Sequence, residues 1–360
     1  MSDGPVEATI VESGQRIVSF ASNDYLGLSR HPAVIAAATE AIARWGAGSG
    51  SARLIVGSRP VHDRLEEALA DWKSTPAALT FPTGYQANVG VMGAVVAAAR
   101  GERPVVLSDA LNHASIIDGA RLSGAEIAVY RHADVRHLAE LAAGHNGRPL
   151  VIVTDSIFSM DGDAADLVGV FEVAARHDAF VVLDEAHALW GPEVPDVAGV
   201  EVARVGTMSK TLGSLGGFVA GSQGLIDLCR NVSRSFIFTT SASPADVAAA
   251  LAALGVLRSS EGEALVARVR GFVDRLAAGH PSAIVPVVLG DEAVALAASE
   301  RLADHGILVP AIRPPTVPAG SSRLRITFSA AHTDSQVDGL LAALGEFGEI
   351  GALDRPRRSG

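Results

Sequence analysis

The stretch Thr207-Met208-Ser209-Lys210-Thr211-Leu212-Gly213 holds one of only two lysines in a chain with many arginines; the other is Lys73. It follows a short apolar run and is hemmed in by small hydroxyl residues and glycines. A lysine so placed is a poor solubilising charge. Desolvation removes part of an amine's preference for the charged form, so the group becomes available as a nucleophile or as a partner for a carbonyl carbon. Upstream, Asp184-Glu185-Ala186-His187 closes another apolar run.

Working outward from these two strand ends, short apolar runs alternate with helical patterns. The strand candidates are residues 77–81, 105–108, 127–131, 150–154, 180–184, 204–207 and 218–220. Val- and Ile-rich runs alternating with helices imply an α/β fold whose mainly parallel sheet is covered on both faces. In such sheets ligands collect beyond the carboxyl ends of the strands. Gly84, Asp109, Ser156, Asp184 and Lys210 all fall at or just after those ends.

Before this region, residues 7–11 and 16–20 read as a short strand or hairpin around Ser13-Gly14. A helix is predicted from about Pro32, with Val34, Ile35, Ala38, Ile42 and Trp45 on one face, and a second over 61–72 with Leu65, Leu69 and Trp72 inward. Between them the glycine-rich loop 46–53 lacks the Gly-Lys-Ser/Thr ending of a nucleotide-binding P-loop. After Pro244 a helix to 259 links to a smaller part with helices at 261–278, 292–305 and 334–346 and strands at 284–289, 307–311 and 323–329. This suggests a small α+β domain. The expected division is an N-terminal segment 1–22, a large domain 23–256, a small C-terminal domain 257–348 and a flexible tail 349–360, charged and frayed from Asp354.

Bulk properties exclude several classes. With 48% hydrophobic and 19% charged residues, the chain has the composition of a globular protein with large buried sheets. A net charge of −11 argues against broad nucleic-acid or membrane-surface binding. Cys229 is the sole cysteine, so no internal disulfide forms, and it reads as a small packing residue. No basic, apolar leader opens the chain and no apolar run reaches spanning length, so a cytoplasmic location is expected.

One cofactor unites the strand-end residues. Pyridoxal 5'-phosphate (PLP) needs an amine for its aldehyde, an acid to keep its pyridine nitrogen protonated and an anchor for its phosphate. Lys210 supplies the amine, and Asp184 a carboxylate able to bond a pyridinium. Alone, Asp184 would read as a helix cap or ion-pair partner. The letters Asp-Glu-Ala-His also occur in helicases, but the upstream phosphate-binding lysine and basic surface are missing. Gly84-Tyr85 opens a helix directly after a strand, which suits a phosphate, although such turns are common structural joints. His113 could stack on an aromatic cofactor or make only local hydrogen bonds. Arg323 and Arg325 share one face of a strand, either as solvated edge residues or as a carboxylate clamp.

Together the motifs resemble the α-oxoamine synthase family of PLP enzymes, which have the aspartate-aminotransferase-like fold type I. The matching segments are Asn23-Asp24-Tyr25-Leu26-Gly27-Leu28, residues 48–57, residues 81–88, Asn112-His113-Ala114-Ser115, Phe158-Ser159-Met160-Asp161-Gly162-Asp163, Asp184-Glu185-Ala186-His187 and Thr207-Met208-Ser209-Lys210. They span about Phe20 to Gly345. Ala311-Ile312-Arg313-Pro314-Pro315-Thr316-Val317-Pro318-Ala319-Gly320, followed by Arg323-Leu324-Arg325-Ile326-Thr327, is most similar to the branch that condenses L-alanine with a pimeloyl thioester in biotin synthesis.

The resemblance implies a transferase with a mainly parallel seven-stranded sheet, working as a homodimer with shared sites. It implies Lys210 as the covalent PLP anchor, Asp184 as the pyridine-nitrogen partner and His113 stacked on the ring. His187 and Ser159 would bond the phenolic oxygen. Gly84, Tyr85, Thr207 and Ser209 would hold the phosphate, with Thr240 reaching that of the neighbouring subunit. Arg325 would clamp the amino-acid carboxylate, and Asn23 would line the acyl side. The partners implied are L-alanine and pimeloyl-CoA or a pimeloyl-carrier protein, with no metal. Trp190, in Ala188-Leu189-Trp190, stands in a stretch where relatives carry glycine. Relatives that use glycine or serine share these cofactor residues, and a noncatalytic PLP-binding paralogue remains the alternative of a different class.

Overall fold

The protein is described here by a computed structural model covering residues 2–3, 8–12, 15–99 and 103–346. The chain divides into two compact units: residues 1–30, 159–163 and 259–360 form one, residues 31–158 and 164–258 the other. The first unit opens with β1 (Ser2–Asp3), β2 (Thr9–Glu12) and β3 (Gln15–Ser19), an antiparallel meander. The hairpin expected here is therefore present. Its Ser13-Gly14 turn and Glu7 lie outside the described residues, as does the tail at 354–360.

The second unit is built on seven strands: β4 (Ala77–Phe81), β5 (Val105–Asp109), β6 (Glu126–Tyr130), β7 (Leu150–Asp155), β8 (Phe180–Asp184), β9 (Val202–Thr207) and β10 (Gly217–Gly221). Their order is β4-β10-β9-β8-β7-β5-β6. Only β10 runs against its neighbours. All seven strands lie where the apolar runs placed them. The reason is visible in the burial: every residue of β5, β7 and β10 is buried. Val151 and Val153 enter one core and Leu150 and Ile152 the other, as the two-residue period of a strand requires.

The helices of this unit are α1 (Pro32–Trp45), α2 (Pro60–Trp72), α3 (Gly84–Ala98), α4 (Ala114–Ser123), α5 (Val135–Gly144), α6 (Leu167–His177), α7 (Gln223–Val232), α8 (Arg234–Ile237) and α9 (Pro244–Leu257). In α2, Leu65 and Leu69 are buried as expected. In α1 the expected face is not uniformly inward. Val34 and Ala41 are buried while α1 packs along α9, but Ile35 is 43% and Ile42 49% exposed. Helical period identifies an apolar stripe without saying how much of it meets the same unit. Residues 53–57 form a single π turn. From it Arg53 Nη1 donates to Glu66 Oε1 at 2.7 Å and to Thr80 Oγ1 at 2.9 Å, so the glycine-rich loop is pinned by an ion pair.

The remainder of the first unit comprises α10 (Ser260–Leu276), β11 (Ile284–Gly290), α11 (Glu292–Asp304), β12 (Ile307–Leu308), β13 (Ala311–Ile312), β14 (Ser322–Thr327) and α12 (Asp334–Gly345). The single strand expected over 307–311 is instead two. β12 joins β3 in parallel, whereas β13 pairs with β14. Pro310, between them, has no N–H for a ladder, and its carbonyl accepts the Arg325 N–H at 3.0 Å. β14 lies between β11 and β13, so Arg323 and Arg325 are buried on a central strand and not solvated at an edge. Cys229 is buried, and that burial pushes its thiol up to about 12, as befits a packing residue. Among the described residues, no helix is long and apolar enough to cross a membrane.

Candidate active site

A cleft of ≈ 250 Å³ opens in the second unit, where several strand ends meet the first turns of α3 and α4. Thr83 caps α3, its Oγ1 accepting the Gln86 N–H at 3.1 Å. A Cβ on Gly84 would come within 3.2 Å of Thr207 Cβ, and one on Gly217 within 2.5 Å of Thr83 O. These glycines let the start of α3 close on the end of β9. There Thr207 Oγ1 and Ser209 Oγ stand 2.8 Å apart, and Thr207 Oγ1 also donates to Gly216 O at 2.9 Å. A helix N-terminus beside two hydroxyls is suited to an anion.

Asp184 is buried at the end of β8, with each carboxylate oxygen fixed by an N–H. Oδ1 accepts from Ala186 N at 2.8 Å and Oδ2 from Asn88 Nδ2 at 2.6 Å. Behind it, the N–H and hydroxyl of Ser156 both donate to the Asp184 carbonyl, at 2.8 and 3.0 Å. His113 caps α4. Its Nδ1 accepts the Ser115 N–H at 3.2 Å, and its own N–H donates to Asp155 Oδ2 at 2.9 Å. Burial lowers the His113 pKa, which favours the neutral imidazole. Asp155 sits directly across from Asp184 in the β7–β8 register. Burial first, and then the Asp184 charge, raise its pKa well above the usual carboxylate range.

Glu185 faces the other way, as strand alternation demands. Arg204 grips both of its oxygens, at 2.8 and 2.7 Å, and the buried Lys73 amine lies 3.3 Å from Oε1. The two lysines therefore have different surroundings: Lys210 lines the cleft, while Lys73 is paired behind it and covered by Trp72, 3.9 Å from its ring centre.

Of the residues singled out from sequence, the cleft brings together Gly84, Tyr85, His113, Asp184, His187, Thr207, Ser209 and Lys210. Thr240 belongs to the same unit but is exposed and does not line the cleft. Asp109 is turned to a structural task, accepting the N–H groups of Leu111 and Ala133 at 2.8 and 2.9 Å. Asn23, Ser159 and Arg325 form a separate group in the first unit. There Arg325 donates through Nε to Ser159 O at 2.6 Å, through Nη1 to Thr327 Oγ1 at 3.0 Å and through Nη2 to Asn23 Oδ1 at 3.1 Å.

Asn88, Ser115 and Asp155 are among the cleft residues to which the sequence assigned no role. For Asn88 a signal existed, because it lies four residues after Gly84 and so on the same helical face. Asp155 ends an apolar run just as Asp184 does, but nothing local to it says that the two strands are neighbours.

The cleft's donor set fits PLP. It offers one amine, an oriented carboxylate, two imidazoles and a glycine-bearing helix N-terminus with two hydroxyls, and the buried Asn88 Oδ1 has no partner among the described residues. The aminotransferase class I and II family matches residues 15–344. An 8-amino-7-oxononanoate synthase from Anaeromyxobacter dehalogenans is 49% identical, over 95% of this chain and 89% of that protein. Among solved structures, a Sphingomonas wittichii serine palmitoyltransferase is 31% identical with a TM-score of 0.89, covering 97% of this chain and 91% of that one. A high-resolution structure of SPT with PLP is 30% identical with a TM-score of 0.87, covering 98% and 92%. The chain belongs to the aminotransferase class I and II family, as one of its PLP-dependent α-oxoamine synthases of fold type I.

Proposed function

We propose that the protein condenses L-alanine with a pimeloyl thioester, on CoA or a carrier protein, to give 8-amino-7-oxononanoate for biotin synthesis. The thiol and CO2 are released and one proton is taken up. The observation that carries this reading is the cleft, in which Lys210, Asp184, His113 and His187 share one space with the Gly84–Thr207 nest. The choice of alanine and of the acyl group follows the name of the Anaeromyxobacter dehalogenans relative and the run from Ala311 to Thr327.

Bound PLP supplies an electron sink for the charge left when a bond at the substrate Cα breaks. The residues do the rest. Lys210 would anchor the cofactor, and its amine would take the Cα proton as general base and return a proton there. Asp184, oriented by two N–H donors, would hold a proton on the pyridine nitrogen. His113 covers the ring, and His187 and Ser159 serve its phenolic oxygen. Gly84, Tyr85, Thr207 and Ser209 hold the phosphate. Arg325 orients the amino-acid carboxylate, which selects the Cα bond that breaks, and Asn23 lines the acyl side. Two copies form a dimer, with Thr240 serving the partner's phosphate. Supporting this, Ile55 and Val56 stand 73% and 69% exposed in a segment whose neighbour Ser51 accepts the Ser241 N–H at 2.9 Å. Large apolar side chains so exposed mark an association surface.

The test is purified protein with PLP, L-alanine and pimeloyl-CoA, following thiol release and product mass. Glycine and serine are run in parallel. Thiol release with alanine and a product of the expected mass is the anticipated result. Faster turnover with glycine or serine moves the protein to another branch, and a normal PLP spectrum with no thiol release makes it a noncatalytic relative.

A further inference from the structure

One buried side chain in the cleft has no role so far. Asn88, on the first turns of α3, is 2% exposed. Its Nδ2 donates twice, to Asp184 Oδ2 at 2.6 Å and to Ser115 Oγ at 2.9 Å. Ser115 Oγ in turn lies 2.7 Å from His113 Nδ1. Because the Ser115 backbone N–H also points at that nitrogen, Nδ1 is an acceptor, and the serine hydroxyl, already accepting from Asn88, spends its own hydrogen there.

The direction of the Asn88–Asp184 bond is fixed by the same logic. Turning the amide over would set Asn88 Oδ1 against a carboxylate oxygen and against a hydroxyl committed to His113. Asp184 therefore receives donors alone, from Asn88 and from the Ala186 N–H. One donor on each oxygen fixes the plane of the carboxylate. This matters because Asp155 stands opposite in the register and lines the same cleft. Asn88 Oδ1 has no hydrogen-bond partner among the described residues, so the amide is held there through Nδ2.

We propose that Asn88 is a positioning residue which, of the two carboxylates in the cleft, holds Asp184 in one orientation, with Ser115 holding the amide in place. This rests on the reading of Asp184 as the pyridine-nitrogen partner. Asn88 then acts on the cofactor through Asp184, and its contribution should vanish when Asp184 is absent.

The test measures the dissociation constant for PLP in the full chain and in Asn88→Ala, Asn88→Asp, Asp184→Ala and the Asn88→Ala/Asp184→Ala double variant. Melting temperatures of the cofactor-free proteins are recorded alongside. Losing a hydrogen bond to a charged group should weaken PLP by about tenfold or more in Asn88→Ala. Asn88→Asp keeps the shape but replaces the donor with a like charge, so it should weaken PLP further. In the Asp184→Ala background, Asn88→Ala should add less than about twofold. An Asn88→Asp variant that binds PLP like the parent overturns the proposal, as does an equal loss from Asn88→Ala in both backgrounds. If Asn88→Asp does not fold, the Ala cycle alone decides. Asp184→Ala with unaltered PLP affinity sinks the underlying reading of Asp184 instead, which separates the two failures.

Discussion

Arg325 and Asn23, 302 residues apart in the chain, meet with Nη2 at 3.1 Å from Oδ1. The guanidinium is thus oriented before any substrate arrives, with Nε on Ser159 O and Nη1 on Thr327. Lysine carries its three donors on one atom and cannot reproduce bonds that leave from three nitrogens of a planar fork. Arg325→Ala and Arg325→Lys are both expected to raise the KM for the amino acid about tenfold or more, with a smaller effect on kcat. Steady-state kinetics at saturating thioester checks this, and an unaltered alanine KM removes the clamp role.

Lys210→Ala is expected to abolish covalent attachment of PLP and to lower turnover by at least about a thousandfold, since both anchor and base are lost. Borohydride reduction followed by mass measurement should show no added cofactor mass in the variant. Substantial turnover there sinks the assignment.

Glu185 balances two cations, Lys73 and Arg204, in buried surroundings. Glu185→Ala strands both, and a broken buried network of this type costs about 3–5 kcal/mol. Urea unfolding of the variant should show that loss. Burial by itself would raise the Glu185 pKa, but Lys73 and the bonds from Arg204 prevail and lower it. The stability it contributes is therefore present above the unfolded value of 4.5 and is lost as the pH falls through the lower folded value.

His332 gives a second pH dependence at milder acidity. Its Nδ1 accepts the Ser329 N–H at 3.0 Å, and its Nε2 donates to Ser19 O at 2.9 Å. The ring stacks on Phe20 with centroids 4.1 Å apart. Burial lowers its pKa from 6.5, so the unfolded chain takes up a proton that the folded one resists. Stability from this group is present above 6.5 and declines as the pH falls toward the folded value. His332→Gln should flatten the loss of melting temperature between about pH 7 and pH 5.5. Equal slopes for the two proteins would falsify this.

Much of the site was legible because its residues are local to strong signals. Lys210 and Asp184 end or follow β-branched runs, and Gly84 opens a helix directly after a strand. Hidden from that reading was every residue whose importance lies in a partner. Asn88 is 96 residues from Asp184, and Asp155 meets it only because β7 and β8 are adjacent.

The sequence by itself determined the seven strands, the helices between them and the side of the sheet that carries the chemistry. Two-residue and 3.6-residue periods of apolar side chains are written in consecutive residues and need no knowledge of neighbours. The tertiary structure alone decided that β10 runs against the other strands, that residues 307–312 switch sheets at Pro310, and that Arg325 is buried on a central strand. It also decided that of two adjacent acids Asp184 faces the cleft while Glu185 is locked behind it by Arg204 and Lys73. Register and strand order set those outcomes, because they bring together groups that the chain keeps far apart.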